Sequence, residues 1–262
     1  RRATALGYNA SVLSVGTAAY PVIGGALAIV AWYAPFFLPA LGLPVALLVL
    51  RVLESPEPST QSGWGSYLRN ALKAMSRREV LVMFGASIVT FILIYGTFLT
   101  YLPFLLERRF SASPLWIGLA MAFTSLTTGV ASWRLGRLTA RFGERKLVRT
   151  GFVCYVVAVA TIPLAGSPAS LIGPLLLFGV ANGINIPSII NIISQAASRQ
   201  NRAALLSVHA MLLRLGQTLG PLLVGLAFAH IGLAKSFHVS AALAGGMLIV
   251  LATSLPVRRT LD

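Results

Sequence analysis

The chain has 262 residues, 56% of them hydrophobic and only 10% charged, with a mean hydropathy of +0.82; a soluble surface, where about 25% charge is usual, cannot be covered with so few. The net charge of +15 would suit nucleic acid, but the basic residues fall in short clusters between apolar runs of membrane-crossing length. Basic faces with interleaved stacking aromatics are missing, so nucleic acid is set aside as a partner. Cys154 is the only cysteine and lies in an apolar run, which leaves no disulfide framework and no zinc site.

Taken in chain order, eight membrane spans are predicted, at 5–30, 32–51, 80–105, 115–134, 148–166, 170–197, 203–229 and 236–256. Pro21, Pro39, Pro44, Pro163, Pro187 and Pro221 lie inside spans, where neighbouring helices satisfy the freed backbone groups. Between the second and third spans, residues 52–79 open on a polar stretch with Pro56 and Pro58. They continue as a helical pattern with Leu68, Leu72 and Met75 on one face and Arg69, Lys73 and Arg77 on the other. With Trp64 and Tyr67 as interface residues, this reads as an amphipathic helix on the membrane surface; a solvated linker is the alternative. On either reading it separates two units, residues 1–54 and 79–262, with the connection at 55–78.

The charges set an orientation. Arg108, Arg109 and Lys235 lie on one side and Arg214 lies inside a span, while the other 17 of 21 basic residues gather at the termini and in alternate loops on the opposite side. The richer side is expected in the cytoplasm, with both ends of the chain.

Residues 2–25 recur 200 positions later without a gap: Arg2, Ala3, Leu6, Ala10, Leu13, Gly16, Pro21 and Gly25 match Arg202, Ala203, Leu206, Ala210, Leu213, Gly216, Pro221 and Gly225. Such a repeat in an apolar chain is the mark of a membrane protein built from two similar helix bundles. Gly and Pro recur in both copies and read as scaffold. Where the copies differ, as in Asn9 against His209, Ser14 against Arg214 and Tyr20 against Gly220, function is expected.

Two motifs carry a family resemblance. Gly7-x8-Gly16-x3-Tyr20-Pro21-x2-Gly24-Gly25 is similar to the export motif G-x8-G-x3-G-P-x2-G-G in the fifth helix of the major facilitator superfamily, with Tyr20 where Gly is usual. Small residues at this spacing let helix backbones approach closely, and the Pro fixes a bend. Gly136, Arg137, Leu138, Arg141, Gly143 and Arg145 resemble the family's short loop G-x-L-x-D-R-x-G-R-R/K. Ala140 replaces the acid and Glu144 the first basic residue. A gating loop and a plain positive-inside loop are both compatible with this segment.

The resemblance, narrowest to the drug:proton antiporter branch, implies an all-α membrane protein with the major facilitator fold. The register places Arg1 at the opening of the fifth helix of twelve. The chain then holds the last two helices of the first bundle and a complete six-helix second bundle, with four helices, on the order of 120 residues, expected upstream. The absence of an initiator Met agrees with a truncated start.

No acidic residue falls in mid-membrane, so the proton carrier is expected outside this chain; in the antiporter branch such acids usually lie in the first or fourth helix. Arg214 is the one charge inside a span, about 18 Å along its helix from Arg202. Two roles stand for it: holding a substrate group or a carboxylate in a wet cavity, or snorkelling to the surface. The other candidates for a substrate cavity are Asn9, Tyr20, Tyr95, Tyr101, Asn182, Asn185, His209 and Gln217, all on helices that line the cavity in the family.

The function expected is secondary-active efflux of small amphipathic compounds, driven by protons and working by alternating access as a monomer in the bacterial inner membrane, with the lipid bilayer as its surroundings. An importer or metabolite carrier on the same fold, and a truncated remnant that does not transport, are the alternatives. An enzyme is not expected, because the sequence holds no paired metal-binding acids and no catalytic dyad. No cofactor is called for.

Overall fold

The structure is a computed structural model and describes residues 19–52, 75–196 and 202–254, together with Gly16. Gly7, Asn9 and most of the predicted surface helix lie outside the described residues. Among the described residues eight helices follow one another: α1 (Ala19–Val30), α2 (Ala34–Arg51), α3 (Arg78–Phe110), α4 (Pro114–Phe142), α5 (Glu144–Leu164), α6 (Ala169–Ala196), α7 (Arg202–Ile231) and α8 (Leu233–Ser254). Seven of them are long and apolar enough to cross a membrane, and α1 is the short eighth. The first half of α2, Ala34–Leu41, is a 3-10 helix. Pro35 and Pro39, four apart, each remove an amide donor and disfavour regular α-helix there.

The helix ends differ from expectation in one place that matters. Span four was expected to stop at 134, with 136–146 as a loop; instead α4 runs on to Phe142, and Gly143 alone separates it from α5. At 29 residues α4 is about 43 Å long, well beyond the roughly 30 Å hydrocarbon core. Its last turns therefore project, and they carry the exposed Arg134, Arg137 and Arg141. Falling hydropathy ends a membrane span without ending a helix. Gly143 has a φ of 77° and Gly232 a φ of 84°. These are left-handed conformations that glycine adopts without steric cost, which is how a single residue reverses the chain between long helices. At the opposite end Ser113 caps α4, accepting from the Trp116 amide at 3.4 Å with Pro114 in the first turn.

From α3 to α8 the helices form one bundle. The order α4, α6, α3, α7 makes a front row, with α5 and α8 packed behind it. Small residues set the spacing within the row. On α6, Gly179 and Gly183 lie against Thr124 and Thr128 of α4. The Thr128 hydroxyl donates to the Gly179 carbonyl at 3.0 Å, and the Ser132 hydroxyl to the Gly183 carbonyl at 3.1 Å. Pro187 has no amide proton to offer the carbonyl four residues back, Gly183, and Ser132 supplies the donor instead. On α7, Gly216 and Gly220 repeat this plan against α3. A Cβ at Gly220 would stand 2.8 Å from the Gly96 nitrogen and 2.9 Å from the Ile92 carbonyl oxygen. Between Leu93 and Tyr101 α3 widens into a π-helix at this contact, a rare form that is frequent at functional sites. The Thr97 hydroxyl, donating to Ser240 at 2.8 Å, ties the same stretch to α8.

Candidate functional site

The export motif sits at a helix crossing. Gly25 of α1 meets the Pro114 carbonyl, and Gly118 of α4 meets the Pro21 carbonyl, so the two backbones touch reciprocally. Among the described residues nothing comes within 4 Å of a Cβ placed on Gly24, and Gly16 lies under the Tyr20 ring, 3.5 Å away. Tyr20 is 58% exposed. Its counterpart Gly220 has the α3 backbone directly against it, so the repeat departs from Gly at Tyr20, where the described residues leave room.

The two outer helices of the front row, α4 and α7, each have one face against their neighbours and one that no described residue covers, whereas no residue of α3 between Val82 and Phe98 or of α6 between Leu177 and Ile190 is exposed. On α7 the covered face carries Leu205, His209, Gly216, Gly220 and Val224. The uncovered face carries Ser207, Met211, Arg214 and Thr218, spaced three and four apart as one helical stripe. Arg214 donates to Gln217 Oε1 at 2.9 Å, and Thr218 bonds back to the Arg214 carbonyl at 3.1 Å. The guanidinium is thus bonded to a neutral amide. Tyr95 is half-buried and stacks on Phe91 at 5.8 Å between ring centres. The half-buried Tyr101 donates its hydroxyl to the Pro221 carbonyl at 3.3 Å, beside Gly225.

The remaining candidates face inward. Asn182 is buried and accepts a hydrogen bond from the Tyr155 hydroxyl of α5. Asn185 is fully buried over Gly151 of α5, with neither amide atom partnered. Both therefore look toward the back row, not to the open face. His209 is buried against α3, where its Nε2 lies 2.9 Å from Ser87 Oγ. The structure thus brings Arg214 and Gln217 together on the open face and separates from them Asn182, Asn185 and His209.

At the Arg-rich end a second constellation appears. Arg145, in the first turn of α5, bonds Glu79 of α3 through both Nε at 2.9 Å and Nη2 at 2.8 Å. Glu144 accepts from Gln195 at the end of α6 at 3.3 Å. An open cleft of about 740 Å³ lies here, lined by Glu79, Arg141, Glu144, Arg145, Lys146 and Gln195 among others. Around it Arg77 donates to the Ala196 carbonyl at 2.9 Å and Arg149 to the Leu251 carbonyl at 3.1 Å. Cations thus meet the exposed carbonyls at two helix C-termini, where the helix dipole favours them. Gly136, Arg137 and Arg141 are exposed on α4, so within the expected loop motif it is Gly143 and Arg145 that form the joint. The missing acid at Ala140 is made good from α3. Glu79 and Ser87 were not among the expected site residues; the one hint was that Glu79 is an acid at the mouth of a span in a chain with six acids.

Comparison with known proteins agrees with this architecture. The sequence profile of the Major Facilitator Superfamily matches residues 1–133 and 106–261. The chain is 23% identical over 231 residues to the tetracycline resistance protein, class B, of Escherichia coli, covering 86% of this chain and 57% of that protein. It is 27% identical over 235 residues to a multi-drug resistance efflux pump PmrA homolog of Lactococcus lactis subsp. lactis (strain IL1403), covering 86% and 56%. The chain therefore spans a little over half the length of these relatives. Among solved structures, the nucleoside transporter NupG (D323A mutant) superposes with a TM-score of 0.68 at 14% identity, over 82% of this chain and 59% of that one. A bacterial homolog to human lysosomal transporter Spinster, inward-facing and unoccupied, gives 0.65 at 17% identity, over 97% and 69%. The profile match runs across nearly the whole chain in two overlapping parts, and this integral membrane protein belongs to the major facilitator superfamily.

Proposed function

We propose that the full-length protein exports small amphipathic compounds from the bacterial cytoplasm in exchange for protons, and that this chain supplies its second six-helix bundle together with part of the first. The observation that carries the reading is Arg214. An arginine some 18 Å into a spanning helix is costly against lipid and belongs in a wet cavity. Here it lies on the face of α7 turned away from the bundle's own packing, with Gln217 and Thr218 beside it. Two bundles rocking about such a midplane face would give alternating access. The relatives' names support export over uptake, as does the resemblance of Gly16, Pro21, Gly24 and Gly25 to the family's export motif.

In this scheme the Arg-rich end is cytoplasmic by the positive-inside rule. The Glu79–Arg145 and Glu144–Gln195 contacts bind the cytoplasmic ends of α3, α5 and α6 into one body that moves as a unit. Arg214 holds a carboxylate of the first bundle across the cavity, so that a cationic compound is not repelled, while Tyr95 offers an aromatic wall. The test is efflux of ethidium from preloaded proteoliposomes containing the full-length protein. The wild type should release dye well above empty liposomes, and Arg214→Ala should reduce release while inserting and purifying normally. Equal release by wild type and empty liposomes would reject the transport reading for this dye, and unchanged release by Arg214→Ala would remove Arg214 from the pathway.

A further inference from the structure

The junction of α3, α6 and α7 hides a polar cluster that export as described above does not use. His209 is 5% exposed, its ring stacked on Phe84 with centres 6.4 Å apart and planes 19° from parallel. Its Nε2 lies 2.9 Å from Ser87 Oγ, and Ser87 Oγ lies 2.9 Å from the Met83 carbonyl oxygen. A serine hydroxyl has one proton to give. With that proton on the Met83 carbonyl, Ser87 Oγ accepts from Nε2–H, and Nδ1 of the neutral ring is left as an acceptor. Beside the ring is a small void of about 10 Å³, lined by Ser87, Thr90, Phe91, Ile189, His209 and Leu213 among others. The hydroxyl of Thr90, on that void, is buried and has no partner. The void has the volume of about one water and polar groups to hold it.

We propose that His209 is a proton-binding residue of the second bundle, served by a single water held between Thr90 and the imidazole. The proposal rests on the proton-coupled reading above. One proton adds to Nδ1, no other bond changes, and the resulting imidazolium keeps its Nε2–H on Ser87. The void's water accepts from the new N–H and stays bonded to Thr90. A positive charge at an apolar junction is costly, so protonation favours an arrangement in which α3 and α7 part and admit more water. A proton taken up here is therefore coupled to the packing of the two helices that Gly216 and Gly220 hold together.

No other titratable group among the described residues faces the ring. From α3 it meets Phe84 and Ser87, and the void beside it is lined by Thr90 and Phe91 of α3 and by Ile186 and Ile189 of α6. The acids and bases of α3 lie at its two ends, Arg78 and Glu79 at one and Glu107, Arg108 and Arg109 at the other; described α6 has none. On α7 Arg214 turns to Gln217 on the uncovered face. On α8 Lys235 and His238 are exposed near the opposite end of the bundle.

The experiment is nitrogen-15 NMR of histidine-labelled full-length protein in lipid nanodiscs from about pH 4.5 to 9, the range that brackets ordinary histidine titration. His209 is assigned by comparison with His209→Gln, which keeps a donor for Ser87. The His209 signals should titrate within this range, and Thr90→Val, nearly the same shape without the hydroxyl, should move the midpoint by about 0.5 unit. Constant His209 signals, or an unmoved midpoint in Thr90→Val, overturn the site. In parallel, His209→Gln should flatten the pH dependence of ethidium efflux, and a profile identical to wild type overturns the coupling role. Wild-type efflux that ignores pH would instead sink the proton-coupled reading, while the titration decides separately whether the site binds a proton.

Discussion

Gly220→Ala is the sharpest structural perturbation available. The added methyl would sit 2.8 Å from the Gly96 nitrogen, 2.9 Å from the Ile92 carbonyl oxygen and 3.2 Å from the Ile92 Cα. All three neighbours are backbone, so no flexible side chain can move aside. Ordinary contact begins near 3.4 Å, and α3 and α7 would have to separate by roughly half an ångström along their crossing, loosening the contacts at Gly96 and Gly216. Overpacking of this kind costs about 1–3 kcal/mol. At roughly 2–4 °C for each kcal/mol in a unit of this size, melting should fall by about 2–12 °C. The assay is thermal unfolding of the full-length protein in detergent, followed by loss of the monodisperse peak. Gly246→Ala, where an added methyl meets nothing within 4 Å, is the control and should melt with the wild type. Equal melting of both variants would refute the close α3–α7 crossing.

Three further outcomes are expected. Ser132→Ala leaves the Gly183 carbonyl without the donor that Pro187 cannot supply, and unfolding in detergent should show a loss of about 0.6–1.7 kcal/mol. Glu79→Gln should cost under about 1 kcal/mol, because the pair with Arg145 is partly exposed; the exchange Glu79→Arg with Arg145→Glu should restore any lost ethidium efflux if the pair acts as a joint between helix ends. Gly118→Leu at the α1–α4 crossing should impair efflux more than Gly129→Leu on the same helix, where the space is open, and equal effects would argue against that contact.

What the sequence revealed and what it withheld divide along physical lines. The echo of Gly16, Pro21 and Gly25 in Gly216, Pro221 and Gly225 points to two related helices, and at Gly25 and Gly216 the reason is physical, since a neighbouring backbone leaves no room for a side chain. Apolar run length placed the seven spans that the described residues hold, but it misjudged the end of α4, whose last turns from Arg134 to Phe142 are helical and polar. The π-helix at Leu93–Tyr101 leaves no mark in the apolar pattern; it coincides with the place where the α7 backbone lies against Gly96. Arg214 was legible as a lone charge in a span, and its bond to Gln217 follows from i, i+3 spacing. The partnerships Glu79–Arg145 and Ser87–His209 were not, since they join residues far apart in sequence whose meeting depends on helix rotation. Asn182 and Asn185 carried the right chemistry for a cavity wall, yet their rotation on α6 turns them to α5.

The proposed proton-coupled export stands or falls on whether outward movement of a small compound is tied to inward movement of protons. Everted membrane vesicles expose that link, with an acid interior imposed by a pH jump and ethidium uptake followed by fluorescence. Proton-coupled export predicts uptake that requires the protein, grows with the imposed gradient and collapses when a proton ionophore is added. Uptake that persists unchanged with the ionophore present, in vesicles where empty controls take up none, would be incompatible with it.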